Sequence, residues 1–358
     1  MARRPPHDPL RIDQGVLFGD SPLDRALAVV ANQPAVAEDV AIASQLPSTL
    51  RLGTSSWAFP GWRGLLFSDN ARAIDLARCG LAAYARHPLL RTVALDRAFY
   101  SLLGRTEASE LAALVPAGFR FVIKAHQSVT RPDADERGGT FGKTSEPSGK
   151  SFENPRFLDA TFARDFVIAP AVEGLADRIG PIVFQFLPLD LTTSGRHGGA
   201  HRLLDRLESF TNSLPVGPLY AIEVRNRELL ARPWALRYAA ILRGANVSHG
   251  FAVHPTLPTI AEQATALSEG GWPALQQPAL LVRWLLGHSQ GYEAASERYQ
   301  PFDRLVDLDA GALADIAALI AEAASADFAA WVIVNNKAEG CAPLTVRRLA
   351  ALVAAHRR

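Results

Sequence analysis

Pro218-Leu219-Tyr220-Ala221-Ile222-Glu223-Val224-Arg225 begins as an apolar extended run and finishes on two charges. Side chains alternate across a strand, so Ala221, Glu223 and Arg225 share one face while Ile222 and Val224 occupy the other. Seven more β-type segments belong to the same series: Arg51–Trp57, Arg91–Leu95, Phe119–Lys124 and Gly180–Phe186 before it, then Asn246–His254, Ala279–Leu286 and Phe328–Asn335. Several of these also close on a polar residue where an apolar one would have continued the run. Mostly Ala/Leu-rich stretches with helical spacing lie between them. Eight strand–helix units are the number that closes a TIM (β/α)8 barrel, an α/β fold whose chemistry sits at the carboxyl ends of its strands.

Composition bounds the function. The chain has 358 residues, which exceeds the ~250 typical of a barrel and leaves room for an extension and long loops. Hydrophobic residues make up 48%, enough to fill a substantial core. Lys and Arg number 37 against 36 Asp and Glu, so no global field draws in nucleic acid or an anionic membrane surface. The basic pairs Arg3–Arg4 and Arg357–Arg358 read as solvated ends. Only Cys79 and Cys341 carry thiols, which fits a reducing compartment and not a disulfide scaffold. Cys79 reads as core; Cys341 falls in a loop on the face where chemistry is expected. No apolar run reaches the ~18 residues of a membrane span, and the start lacks a signal-peptide core. A cytoplasmic location is the expectation.

A single domain with an N-terminal extension follows from the pattern: a helical extension over 1–47 and a barrel over 48–358. Ser21-Pro22 signals one helix start in the extension, and Ala35–Leu46 is a second helical stretch. Too small to bury much surface alone, the pair is expected to pack on the barrel's outer helices or to serve an interface. Two connections are long. One, from about Arg131 to Pro155, follows the third strand and reads as a lid, a binding loop or a disordered insert. The other, from Gly287 to about Leu308, follows the seventh strand and carries His288, Tyr292, Tyr299 and Arg304.

The strand ends supply the candidate chemistry. Glu223 and Arg225 can polarise a substrate or hold an anionic group, with a buried structural ion pair as the alternative. Lys124 ends the third strand on the face of Val122 and can bind an anion, act as an electrophile or, if desolvated, form a Schiff base. Gln185 interrupts an apolar run and can hydrogen-bond a ligand or the barrel's own backbone. His254 and Arg283 are weaker signals, since an isolated His or Arg often has a structural partner. Asn335 and Asn336 lead through Gly340 into a Pro-initiated helix whose first amides form a possible anion site. Asp96, His126, Asp190, Glu223 and His254 are possible but scattered metal ligands, with no compact spacing. No dinucleotide fingerprint is present, and no cofactor is indicated.

At these residues the chain resembles the YecE-like family, domain of unknown function 72, over nearly everything after Pro47. The resemblance rests on Gly53-Thr54-Ser55-Ser56-Trp57 with Pro60-Gly61-Trp62, Phe99-Tyr100, Phe119-Arg120-Phe121 with Lys124, Gln185 with Pro188, Glu223-Val224-Arg225-Asn226, and Asn335-Asn336 leading to Gly340-Cys341-Ala342-Pro343. It implies a TIM barrel with a polar pocket at the carboxyl face, and it adds Trp57 and Tyr100 to the substrate-binding candidates. The family has no agreed biochemical activity. Its second strand usually shows Val-Glu-x-Asn; here the glutamate is Ala94 and the asparagine is Asp96. Ala125-His126 follows Lys124 where a proline often stands, and Thr345 replaces a late asparagine.

The leading expectation is an enzyme acting on a small polar or anionic metabolite. In it Glu223 is general base or acid, Lys124 and Arg225 stabilise negative charge, and Gln185, Asn335 and Asn336 orient the substrate. Asp96, two residues beyond Ala94, takes over any lost carboxylate if the strand stays regular. Two alternatives stand beside it: a non-catalytic binding or interaction protein on the same barrel, and a metal-dependent phosphodiesterase or sugar isomerase. Removing the charge of Glu223 or Lys124 is expected to leave stability unchanged or raise it.

Overall fold

Leu50–Thr54 (β1) pairs in parallel with Ala330–Val334 (β8), from Leu50 opposite Ala330 to Thr54 opposite Val334, and this pairing closes a barrel. The structure is a computed structural model that describes residues 36–135, 151–192, 198–287 and 291–356. Between the closing strands run Thr92–Leu95 (β2), Arg120–Lys124 (β3), Ile179–Gln185 (β4), Tyr220–Glu223 (β5), Ser248–Val253 (β6) and Leu280–Trp284 (β7). All eight expected segments form strands, each hydrogen-bonded in parallel to its neighbours around the ring. The observed strands stop short of the expected carboxyl ends at Trp57, Arg225, Leu286 and Asn335. Those residues leave the ladder because the chain turns at the mouth, and that departure frees their side chains for a site.

Alternation sorts the side chains as the pattern requires. Ala94, Val122, Val183, Ala221, Leu281 and Ile333 form an apolar cluster inside the barrel with Trp331. Ile222 and Val224 join the larger core between strands and helices. These side chains fill the lumen, which is a packed core and not a pore. The β2 strand ends at Leu95, where ψ of 65° turns the chain into a 3-10 turn over Asp96–Phe99. The regular strand expected to carry Asp96 is therefore broken one residue before it.

The second helical stretch of the extension is Ala37–Gln45 (α1). Its buried Ile42 and Ala43 join the main core, and Arg347 on the last helix, Ala342–Ala355 (α10 in the series below), bonds Asp39 at 2.8 Å. Arg91 adds bonds to the carbonyls of Pro47 and Ala43 at 3.2 and 3.3 Å. The helix expected from Ser21 lies outside the described residues, as do His288 and the basic pairs at the two ends. Helices Ala73–Tyr84 (α2), Arg105–Ala113 (α3), Ala169–Leu175 (α4), Gly199–Asn212 (α5), Trp234–Gly244 (α6) and Ile260–Glu269 (α7) link successive strands up to β7. Tyr292–Arg298 (α8) and Ala310–Ser325 (α9) follow it.

Of the first long connection, Asp133–Asp135 and Ser151–Glu153 pair antiparallel, while 136–150 lie outside the described residues. Asn154 ties this stem to the barrel through the carbonyls of Ser128 and Arg131, at 2.8 and 2.6 Å. The second connection folds over the mouth. Gly61 lets it approach: a Cβ there would stand 1.8 Å from the Pro301 carbonyl oxygen. Among the described residues no helix is long and apolar enough to cross a membrane.

Candidate functional site

Arg283 on β7 is the hub of the mouth. It is 1% exposed, and one guanidinium nitrogen donates to Gln185 Oε1 at 3.0 Å and to Glu223 Oε2 at 2.9 Å. The other donates to the two oxygens of Asp96 at 3.0 and 3.3 Å. Arg225 takes the remaining Glu223 oxygen at 2.5 Å. Glu223 thus has both carboxylate oxygens claimed by arginines in full burial. Gly250 on the neighbouring β6 makes room for it, since a Cβ there would lie 3.1 Å from Glu223 Cβ.

Burial pushes the Glu223 carboxyl up, but Arg283 and Arg225 outweigh it and hold the group below the usual carboxylate range. It is an anion fixed between two cations. Burial also lowers Arg225, with Glu223 opposing. For Arg283 burial is overcome by Glu223 and Asp96, and its pKa rises.

Lys124 behaves differently. Its Nζ stands 3.8 Å from the centre of the Phe99 ring, and among the described residues no carboxylate comes within ion-pair distance. Burial draws its pKa down to about 8; Asp96 and Glu223 oppose the shift while Arg283 and Arg225 reinforce it. Tyr100, half exposed, packs edge-on to the same Phe99 ring at 5.1 Å. Burial raises its phenol, with Tyr292 and Asp96 adding to the effect. Tyr100 is therefore a rim residue between the charged cluster and α8. The cluster as a whole sets Lys124, Arg225 and Arg283 against Asp96 and Glu223, leaving one positive charge over. Arg225 Nη1 is buried and has no hydrogen-bond partner among the described residues.

The other part of the mouth, above β1 and β8, is a cavity of about 290 Å³. Its walls combine hydroxyls and amides, Ser55, Ser56, Ser296 and Asn335 among them, with the rings of Phe59 and Phe302. Asn335 donates to Ser55 Oγ at 2.8 Å and accepts from the Lys337 N–H at 3.0 Å. Asn336 also borders the cavity, and its carbonyl oxygen accepts from Trp62 Nε1 at 3.2 Å and from the Ala342 N–H at 2.9 Å. That second bond corrects the anion site anticipated at the start of α10. The Ala342 amide is already taken, and Cys341, Ala342 and Pro343 are buried.

The candidates thus divide. Glu223, Arg225, Gln185, Asp96 and Lys124 converge on one cluster, and Asn335 and Asn336 lie at the neighbouring cavity. Trp57 lines neither: its ring reaches within 3.7 Å of the Cβ position of Gly80 on α2 and carries the Arg97 guanidinium at 5.9 Å. Cys341 is fully buried and burial pushes its thiol up to about 12, so it is no nucleophile. Cys79 lies buried in α2, as its surroundings suggested. His126 caps a short helical turn, accepting from the Ser128 N–H at 3.2 Å, and burial lowers its pKa. His254 meets Thr256 Oγ1 at 2.9 Å, and Asp190 accepts from Thr192 at 2.7 Å. Among the described residues no three His, Cys, Asp or Glu side chains group as a metal site.

The residue that sequence reasoning undervalued is Arg283. A charge inside the apolar run Leu280-Leu281-Val282-Arg283-Trp284 is itself the signal, because a buried guanidinium needs carboxylates and only other strand ends can supply them. The cavity's aromatic walls were missed as well. Phe59 and Phe302 meet edge to face at 5.1 Å, although they are far apart in the chain and neither lies in a strand.

The family model described as Protein of unknown function DUF72 matches residues 51–358. Among solved structures, the chain is similar to a DUF72 family protein from Enterococcus faecalis V583, at 18% identity and a TM-score of 0.53, with 85% of this chain and 95% of that one covered. It is also similar to a DUF72 family protein from Thermotoga maritima MSB8, at 16% identity and a TM-score of 0.53, with 85% and 97% covered. No curated protein matches. At these identities the likeness speaks for the fold.

Proposed function

The chain belongs to the DUF72 family, and from that premise we propose that it is an enzyme transferring a proton to or from a small anionic molecule bound at the carboxyl mouth of its barrel. The observation that carries this reading is Lys124, a desolvated amine with a pKa near 8 and no carboxylate partner at ion-pair distance among the described residues. A group whose pKa lies near the working pH both holds and releases its proton readily. Arg225, with a buried Nη1 left without a partner, supplies the donor for the substrate's negative group.

The role anticipated for Glu223 changes in this reading. An ionised carboxylate held by two arginines is a poor base, so Glu223 orients Arg225 and Arg283 and does not carry the proton. Gln185 accepts from the same Arg283 nitrogen as Glu223 and helps to orient it. Asp96, partly open to solvent and bonded to the same guanidinium, is the carboxylate nearest to solvent and the second candidate for proton transfer. Ala94 favours a second reading, a protein that binds the same anion without turning it over. Position 94 now lies in the apolar interior, where a carboxylate would be costly without a partner.

The test is the pH dependence of lysine labelling. Modification of Lys124 by trinitrobenzenesulfonate, followed by mass spectrometry of the peptide, should titrate near pH 8 and be slowed by inorganic phosphate. Labelling with an ordinary lysine profile and no protection would sink the reading.

A further inference from the structure

The strand order places the hydroxyl- and amide-lined cavity in a definite relation to the charged cluster. β1 and β8 are adjacent, and β2 and β7 flank them. Asp96, just beyond β2, and Arg283 on β7 bond each other at 3.0 Å. That ion pair therefore spans the mouth alongside β1 and β8, the two strands whose ends carry the cavity.

The cavity's chemistry is that of hydroxyl recognition. Ser56 Oγ, Ser296 Oγ and the Gln300 amide make no side-chain hydrogen bonds among the described residues, although all three line the space. Hydroxyls and amides both donate and accept, as the hydroxyls of a sugar or polyol do. Phe59 and Phe302 offer ring surface to the C–H faces of such a ligand. Lys337, the charged residue of the lining, has its Nζ 4.2 Å from the centre of the Tyr292 ring and 5.9 Å from that of Phe302. The volume of about 290 Å³ is at the lower end of small-molecule sites, suited to one sugar-sized group. Phe302 adds a sign of construction. Its φ of 66° is a costly conformation for a bulky side chain, and such conformations persist where the surroundings enforce them. Gly61 and Gly340 do so by admitting the backbone of this loop at contacts a Cβ would prevent.

We infer that the β1/β8 cavity binds the hydroxyl-bearing portion of a sugar or polyol whose phosphate or carboxylate is held at the Lys124–Arg225 cluster. This rests on the anion site proposed above and adds the class of molecule that carries the anion.

Calorimetric titration of the full chain separates the two ideas. The probes are inorganic phosphate, free pentoses, hexoses and glycerol, the monophosphates of those sugars, and the corresponding sugar acids. At least one sugar phosphate or sugar acid should bind ten-fold or more tightly than inorganic phosphate. Ser296→Trp, which fills the cavity, should remove that advantage and leave phosphate binding unchanged. Gln300→Ala, at an exposed position, carries the same test with a several-fold loss should Ser296→Trp disturb the fold. Sugar-bearing anions that bind no tighter than phosphate, or whose advantage survives both substitutions, overturn the inference while Arg225-dependent phosphate binding keeps the anion site. Phosphate binding indifferent to Arg225→Met overturns the anion site instead. Free-sugar binding lost in Ser296→Trp would then still uphold the cavity.

Discussion

The arginine-centred cluster and the hydroxyl- and amide-lined cavity of the barrel mouth are built by opposite means. Around Arg283, side chains from three strand ends and one turn satisfy each other directly; among the described residues Lys124 has no carboxylate at ion-pair distance, and Arg225 Nη1 and Arg283 Nε have no hydrogen-bond partner. Above β1 and β8, by contrast, Asn335 and Asn336 bond mainly to backbone amides and neighbouring loops, and several hydroxyls and amides in the lining stay without side-chain partners among the described residues. Polar groups that are mutually satisfied in burial hold a shape. Polar groups facing empty space hold a ligand.

Substituting Glu223 tests the first half of that contrast most severely. Glu223→Gln leaves two buried arginines with less countercharge and should cost about 3–5 kcal/mol of unfolding free energy, read from urea denaturation. That reverses the sequence-based expectation that charge removal here is harmless. A loss below about 1 kcal/mol would mean that the cluster is not held by these pairs.

In the hydroxyl- and amide-lined half, Asn336→Ala should matter through structure. It strands the buried Trp62 indole N–H and the Ala342 amide, at a cost of about 1–3 kcal/mol in the same assay. A neutral outcome would move Asn336 from scaffold to ligand contact and blur the comparison.

Lys124→Met should act in the opposite direction. The Lys124 pKa is depressed from 10.5 to about 8, so the unfolded chain binds more protons between those values and stability rises with pH across that window. Below pH 8 the charged amine is a full penalty. Removing it should stabilise the protein by about 1 kcal/mol at pH 7, with the gain shrinking as pH approaches 10.5. Equal gains at pH 7 and pH 10 would show that packing, not charge, is responsible.

The smallest effect is expected at Gln300. Gln300→Ala should change stability by less than about 0.5 kcal/mol, because the residue is exposed and its side chain has no hydrogen bond among the described residues. A larger loss would place it in the scaffold and weaken the distinction between a satisfied half and a receptive half.

The number, order and direction of the barrel strands were legible in the sequence, because alternation with period two and intervening helical stretches are local properties. So was the inward face of β5, where Ala221 precedes Glu223 and Arg225. Convergence was not. Asp96 and Arg283 are 187 residues apart in the chain, and their bond depends on the closure of β1 against β8, which brings β2 and β7 to either side of one opening. The same closure decided that Glu223 is an occupied anion and that Lys124 is desolvated, since burial and countercharge are set by neighbours from other strands. Residue type and strand register bring polar side chains to the strand ends; which of them satisfy each other and which stay open to a ligand is set by the barrel's closure, because their partners come from distant strands.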